Sequence, residues 1–372
     1  MRWGSRDLSQ AITETDRERL MRIVIVTDAW HPQVNGVVRT LDTTGENLSR
    51  LGHKVRMITP EAFRTVPCPT YPSIRLAVWP GTKVRRTLRE LKPQAIHIAT
   101  EGPLGHAARR YCIDHKLPFT TSFHTQFPEY IRLRAPLPIA WSYAYVRRFH
   151  AAAVRTMVPT ATQRDKLAAR GFRNLCLWAR GVDLQIFNPT NPVVWQFPRP
   201  VAVYIGRVAV EKNIEAFLTA DGVPTKVVIG EGPDLERLRA RFPQVHFLGA
   251  KHGRELAQHL AAGDVFVFPS RTDTFGLVLL EAMACGLPVA AYPVQGPLDV
   301  VKQGFCGVLD ENLSAAIQGA LRLARADCVA HAARYSWAAC TADFASYLAP
   351  INRPEVDAMT RLPSVPRATP SI

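Results

Sequence analysis

Short apolar runs recur along this chain with helix-length amphipathic segments between them, and the whole rhythm is played twice. In the first half, residues 22–28, 54–59, 95–100, 119–125, 155–159 and 176–180 read as strands, with helical segments such as 38–51 and 105–115 between them. Alternation of this kind needs crossover connections, which builds a parallel sheet covered by helices on both faces. A stretch with clustered prolines, Trp195-Gln196-Phe197-Pro198-Arg199-Pro200, reads as a linker. The rhythm then restarts at 201–206, 226–230, 245–249, 265–268, 288–292 and 307–309. The expected fold is therefore α/β, with two doubly wound Rossmann-like domains facing a cleft. A length of 372 residues agrees, since single cores stop growing near roughly 250–300 residues. The expected boundaries are a disordered extension over 1–20, a first domain over 21–185, a linker over 186–199 and a second domain over 200–334. A terminal helix over 335–349 and a proline-rich disordered tail over 350–372 complete the chain.

One stretch of the second half joins strand, loop and helix: Phe268-Pro269-Ser270-Arg271-Thr272-Asp273-Thr274-Phe275-Gly276-Leu277-Val278-Leu279-Leu280-Glu281-Ala282-Met283-Ala284-Cys285-Gly286-Leu287-Pro288-Val289. The strand breaks at Pro269-Ser270; a helix opens near Gly276 and stops at Gly286-Leu287-Pro288. A helix N-terminus after a strand offers unpaired N–H groups and a positive dipole end, which attract phosphate. Gly276, without a side chain, lets a diphosphate approach the backbone. Glu281, on the second turn, can accept hydrogen bonds from ribose hydroxyls, and Asp273 can reach the other end of the same ligand. Two carboxylates bracketing an anion site suit a nucleotide-sugar; they equally suit an ordinary strand–loop–helix unit with surface acids.

The stretch resembles the signature of the retaining glycosyltransferases of family 4, in which two glutamates are separated by seven residues. Glu281 matches the second glutamate, while Asp273 stands in the place of the first and makes that donor-sugar contact one methylene shorter. The resemblance covers most of residues 21–348. It implies the GT-B fold, a nucleoside diphosphate-sugar donor touched by Phe275, Gly276, Leu277 and Glu281, a catalytic role for Asp273, and a terminal helix that packs back on the first domain.

A dinucleotide-binding dehydrogenase shares the α/β rhythm, but its first strand ends in Gly-x-Gly-x-x-Gly. Here Thr27-Asp28-Ala29-Trp30-His31-Pro32-Gln33-Val34-Asn35-Gly36 carries a single glycine, Gly36. That loop resembles the family's acceptor-side loop, where glycine admits the donor diphosphate; a purely conformational glycine fits equally. Thr121-Ser122-Phe123-His124-Thr125-Gln126 resembles the family's histidine loop, which implies that His124 hydrogen-bonds the transferred sugar and shields the reacting centre without acting as a base. A lone histidine at a strand end is otherwise commonly structural. In Gly206-Arg207-Val208-Ala209-Val210-Glu211-Lys212-Asn213, Arg207 and Lys212 can clamp a diphosphate, one bidentate and one as a point charge, or can simply be solvated. The family's donor-phosphate clamp favours the first reading. The two cations would stabilise the leaving diphosphate, no Asp-x-Asp sequence occurs in the chain, and no metal or other cofactor is expected. Gly230 and Lys251 end successive strands on the cleft side, the latter beside the base by resemblance, and Arg180-Gly181-Val182-Asp183 is similar to the family's hinge approach.

Charge adds a point independent of the family. Residues 21–180 carry 25 Lys and Arg against 9 Asp and Glu, a net of +16, whereas residues 181–372 carry 17 against 18, a net of −1. The clusters Lys83-Val84-Arg85-Arg86, Arg109-Arg110, Arg132-Leu133-Arg134 and Arg147-Arg148 are interleaved with Trp141, Tyr143, Tyr145 and Phe149. No nucleic-acid motif accompanies them, so the expected partner of this face is an anionic membrane surface, where each basic residue is worth about 1 kcal/mol and aromatic residues settle at the interface. No apolar run reaches the roughly 20 residues that span a bilayer. The seven cysteines are scattered and lack metal-ligand spacing, as suits reduced thiols. The opening loop is similar to the branch of bacterial mannosyltransferases and sugar-diacylglycerol synthases. The expected activity is transfer of a hexose, with a UDP-sugar favoured, to a lipid hydroxyl on the inner, cytoplasmic face of the membrane. The alternatives are a GDP-mannose-dependent mannosyltransferase acting on another lipid or a glycan, and a sugar-nucleotide-binding protein without turnover.

Overall fold

The computed structural model describes residues 20–351, apart from 32, 34, 69, 70 and 133–137. The extension over 1–19, the tail over 352–372 and Arg134 of the basic clusters lie outside the described residues.

The first half carries β1 (Arg22–Val26), β2 (Lys54–Ile58), β3 (Thr65–Cys68), β4 (Tyr71–Ala77), β5 (Ala95–Ile98), β6 (Thr120–Ser122), β7 (Arg155–Val158) and β8 (Leu175–Leu177). Six of these form one parallel sheet in the order β2-β1-β5-β6-β7-β8. Side chains alternate across a strand, so β1 feeds two cores. Ile23 and Ile25 pack under Leu41 and Leu48 of helix α1 (Gly36–Arg50), whereas Val24 and Val26 pack on the opposite face. The helices there are α2 (Gly81–Leu91), α3 (Pro103–Asp114) and α4 (Ile139–His150), through Val84, Leu88, Leu104, Ala108 and Phe149. Asn35 caps α1, its Oδ1 accepting from the amides of Val37 and Val38 at 3.0 Å. Strands β3 and β4 form a separate antiparallel ribbon that the sequence did not announce, because Pro67 and Pro72 interrupt its pattern.

The second sheet, β9 (Val201–Ile205), β10 (Thr225–Ile229), β11 (His246–Phe247), β12 (Val265–Phe268), β13 (Val289–Ala291) and β14 (Gly307–Leu309), runs parallel in the order β11-β10-β9-β12-β13-β14. Each sheet reverses its winding once, between β1 and β5 and between β9 and β12. Open α/β sheets hold ligands at such points, beyond the carboxyl ends of the strands. Helix α5 (Leu277–Ala284) leaves that point after β12, its residues Leu279 to Ala284 all buried.

Within the expected linker, Phe187 is buried in the second core, and Ile186, Trp195 and Phe197 pack against that core. Two crossings join the domains and touch each other, Val182 N–H donating to Tyr335 O at 3.0 Å. A Cβ on Gly181 would lie 2.4 Å from the Trp337 amide nitrogen, so only glycine fits between them. Beyond the second crossing, helix α6 (Trp337–Tyr347) lies on α1 and closes the first domain. Its Phe344 packs against Trp178, and the Trp178 indole donates to Cys340 O at 3.1 Å. Ile351 is buried in the first core and its amide donates to Gln94 O at 2.7 Å, so packed chain continues past the expected tail boundary at 349.

Candidate active site

The loop after β9 and the loop after β12 are tied together. Asn213 donates its side-chain amide to Pro269 O at 3.1 Å, and Lys212 Nζ lies 2.6 Å from Asp273 Oδ1. Lys212 belongs to a single 3-10 turn, Val210–Lys212, rather than to the opening helix anticipated from sequence. Neither partner of this pair is fully exposed, at 22% and 16%, and the second oxygen of Asp273 is buried with no hydrogen-bond partner. Arg207 is exposed, and its carbonyl accepts from the Tyr204 hydroxyl at 2.9 Å. Tyr204 thus holds the clamp loop from beneath, a support for which the sequence carries no signal beyond a tyrosine in a strand.

Gly276 has φ +80°, the left-handed region that disfavours side chains, and a Cβ there would crowd Leu279 at 3.0 Å and Phe268 at 3.2 Å. The residue is fixed by backbone geometry and leaves the N-terminus of α5 bare. Phe275 has its side chain in the second core, so any contact it makes with a donor is through its backbone. Leu277 faces Gly36 across the cleft, where an added Cβ would sit 3.6 Å from Leu277 Cδ1. Glu281 is 4% exposed. One of its oxygens receives Arg39 Nη2 of α1 at 2.5 Å, and the other is buried and unpartnered. Arg39, unmarked by any sequence motif, also lies over the Phe187 ring at 5.8 Å.

His124 closes the site from the first domain. Its carbonyl accepts from the Thr274 hydroxyl at 2.8 Å, which docks the histidine loop beside Asp273. Arg180 Nη2 lies 3.2 Å from His124 Nδ1, and His124 Nε2 is buried without a partner. Burial first, then the neighbouring Arg180, His97 and His150, hold its pKa well below the ordinary histidine value, so the ring is neutral. Around this contact Gln126 donates to Gln295 at 3.2 Å, and the Thr162 amide donates to Asp299 at 3.0 Å. The two domains therefore meet along the rim of the cleft.

The structure brings Gly36, His124, Lys212, Asp273, Gly276, Leu277 and Glu281 to one cleft, through the contacts just given. Two others are occupied locally. Lys251, just ahead of the helix Gly253–Ala262, pairs with Glu255 in the first turn of that helix at 2.7 Å. Gly230 has φ +152°, and an added Cβ would fall 1.9 Å from Gly206 O, so protein backbone explains that glycine without a ligand. The assembled set comprises a bare helix N-terminus, a lysine on the loop that also carries the exposed Arg207, two carboxylates with idle buried oxygens and a neutral imidazole. Such a set can hold an anion flanked by hydroxyl-rich groups.

Of the aromatic residues interleaved with the basic clusters, Trp141 and Tyr145 are exposed at 71% and 55%, but Tyr143 and Phe149 are buried and belong to the first-domain cores. Trp79, ahead of α2, is 92% exposed. Among the described residues, no helix is long and apolar enough to cross a membrane.

Comparison with known proteins follows the same division. The model of the family described as Glycosyltransferase Family 4 matches residues 34–186, and that described as Glycosyl transferases group 1 matches residues 199–326. A GDP-mannose-dependent alpha-mannosyltransferase of Mycobacterium tuberculosis is 33% identical over 320 residues, 78% of this chain and 83% of that protein. An alpha-monoglucosyldiacylglycerol synthase of Streptococcus pneumoniae is 26% identical over 355 residues, 81% of this chain and 78% of that one. Among solved structures, sucrose-phosphate synthase of Thermosynechococcus elongatus superposes with a TM-score of 0.68 at 20% identity, covering 87% of this chain and 97% of that one. That likeness is of fold, and the fold is GT-B.

Proposed function

The chain belongs to glycosyltransferase family 4 and is a transferase, and from that premise we propose that it moves a hexose from a nucleoside diphosphate-sugar to the hydroxyl of a membrane lipid such as diacylglycerol, with retention of configuration. The observation that carries the donor side is the pair of buried, unpartnered carboxylate oxygens, Asp273 Oδ2 and Glu281 Oε2, on either side of the α5 N-terminus. Each is an acceptor in want of a hydroxyl.

In this reading Glu281 receives the ribose and the diphosphate lies at the start of α5. Asp273 and His124 meet hydroxyls of the sugar. The acceptor hydroxyl attacks from the face that the diphosphate leaves. The bond from C1 to the phosphate oxygen breaks as the bond from C1 to the acceptor oxygen forms, and the acceptor proton passes to the departing phosphate. Arg207 and Lys212 meet the charge that gathers on that phosphate, and the reading calls for no cofactor besides the donor. A lipid acceptor is supported by the glycolipid synthase among the relatives and by the basic first domain, in which Trp79 and Trp141 are exposed. That combination suits a protein resting on the inner face of the cell membrane.

A uridine donor is the first reading for the base. A guanosine donor carrying mannose is the second, favoured by the mannosyltransferase at 33% identity. Purified protein incubated with UDP-glucose or GDP-mannose and vesicles of diacylglycerol in anionic phospholipid should convert one donor into glycolipid. Release of nucleoside diphosphate without glycolipid would remove the lipid acceptor; release from neither donor would remove both readings of the base.

A further inference from the structure

His124 is the first-domain side chain that the reading above sets against the sugar, and its chemistry is decided by a residue that reading does not use. Arg180 follows β8 by three positions, at the first crossing, and is 4% exposed. Its Nη1 donates to Trp178 O at 2.6 Å and to Ala179 O at 3.1 Å, and its guanidinium lies 4.1 Å over the Trp178 ring. Among the described residues no carboxylate pairs with it, although a buried guanidinium normally has one. Its remaining contact is Nη2 to His124 Nδ1 at 3.2 Å.

A guanidinium can only donate. His124 Nδ1 must therefore be the accepting nitrogen, which puts the ring proton on Nε2. That Nε2 is buried and has no partner in the protein, so the one group His124 holds ready is an N–H. We propose that Arg180 is a positioning residue for transfer: its guanidinium, held over Trp178, locks His124 as a neutral Nε2–H donor aimed at a sugar oxygen, and denies the ring any lone pair with which to act as a base. The proposal rests on the sugar-transfer reading for the identity of the acceptor atom, and on geometry alone for the tautomer.

The surroundings support the lock. The charged and titratable groups acting on His124 are Arg180 from the crossing, His97 from β5 and His150 from α4, and each opposes its protonation. His97 is itself pushed down to about 3 by burial. The Trp178 edge meets the His124 ring at 5.8 Å, and the Trp178 indole is anchored to α6. Imidazole, guanidinium and indole thus form one contact cluster, tied to the helix that closes the first domain. A cation on Nδ1 also polarises the imidazole, which strengthens Nε2–H as a donor.

The test uses the full chain labelled with 15N-histidine, the His124 signals being assigned by their loss in His124→Asn. Long-range 1H–15N correlation of the unsubstituted protein should show Nε2 protonated and Nδ1 bare, unchanged from about pH 5.5 to about 8. In Arg180→Met the ring should mix tautomers and its pKa should rise, though burial still holds it below the ordinary histidine value, whereas Arg180→Lys, which keeps a cationic donor, should restore the single form. Once a donor is established, Arg180→Met should lower kcat by roughly tenfold or more, the worth of one well-placed hydrogen bond. It should also add an acid limb to the pH–rate profile and leave the Kd for free nucleoside diphosphate within about twofold. Protonated Nδ1 in the unsubstituted protein, or an unchanged tautomer and pH profile in Arg180→Met, would overturn the proposal. The spectrum of the unsubstituted protein decides even if Arg180→Met does not fold. Because it needs no substrate, its failure is separable from failure of the transfer reading.

Discussion

The Lys212–Asp273 pair makes each residue's contribution depend on the other. The lysine neutralises the aspartate at 2.6 Å; with a donor in place it would divide its charge between that carboxylate and the diphosphate. Lys212→Ala should therefore lower kcat by about 10²-fold or more, partly by leaving Asp273 uncompensated. Lys212→Ala with Asp273→Ala should then cost less than the product of the single losses. Steady-state kinetics on the four proteins reads this coupling, and strictly multiplicative losses would mean the two act apart. A second residue-scale expectation concerns His97, sealed between Trp178 and Phe344 and pushed by burial to a pKa of about 3, against 6.5 for the free side chain. Between those values the unfolded chain binds a proton that the folded one refuses. The stability this provides is complete above about pH 6.5 and is lost as pH falls toward 3, by about 1.4 kcal/mol per pH unit. Urea unfolding at pH 7 and at pH 5.5 checks it; equal stability would mean that His97 takes up a proton without unfolding.

Elements were more legible than their contacts. The strands of both sheets and the helix after Gly276 could be read because a buried parallel strand is an unbroken apolar run, and a helix bounded by glycines declares its ends. The β3–β4 ribbon escaped because Pro67 and Pro72 break its pattern. The donor half of the site was legible because Asp273, Gly276 and Glu281 lie within one strand–loop–helix unit. Arg39 and Arg180 were not, since their partners lie 242 and 56 positions away and no local pattern encodes a contact across a cleft or a crossing. Tyr143 and Phe149 were misjudged for a related reason: on α4 their spacing from Trp141 and Tyr145 turns them inward, and composition alone does not show which way a helix faces. The Arg39–Glu281 bridge joins α1 to α5, and so one domain to the other. Arg39→Ala should loosen the unliganded pair of domains, seen as a larger radius of gyration in small-angle scattering that nucleotide reverses. Its affinity for nucleoside diphosphate should be equal or higher, since Glu281 is released. A clear loss of affinity would instead place Arg39 on the nucleotide.

At the scale of the whole molecule, charge is divided as sharply as fold. Binding to vesicles should require anionic lipid and weaken steeply as salt shortens the Debye length, roughly 8–10 Å near physiological strength. Reversal of Arg85, Arg89 and Arg148 to Glu should release the protein while sparing nucleotide binding; all three are exposed, whereas Arg147 is better left alone because it donates to Arg170 O at 2.8 Å. Flotation with anionic and neutral liposomes measures this, and co-flotation with neither would favour a soluble acceptor. The return of α6 and Ile351 to the first domain carries a different consequence, one of timing. A ribosome delivers the chain from its N-terminus, yet Trp178 finds its cover in a segment translated some 160 residues after it. The second domain, complete in sequence by then, can settle first. Until α6 emerges, the earlier-made domain keeps an apolar face uncovered, a natural footing for a chaperone during synthesis.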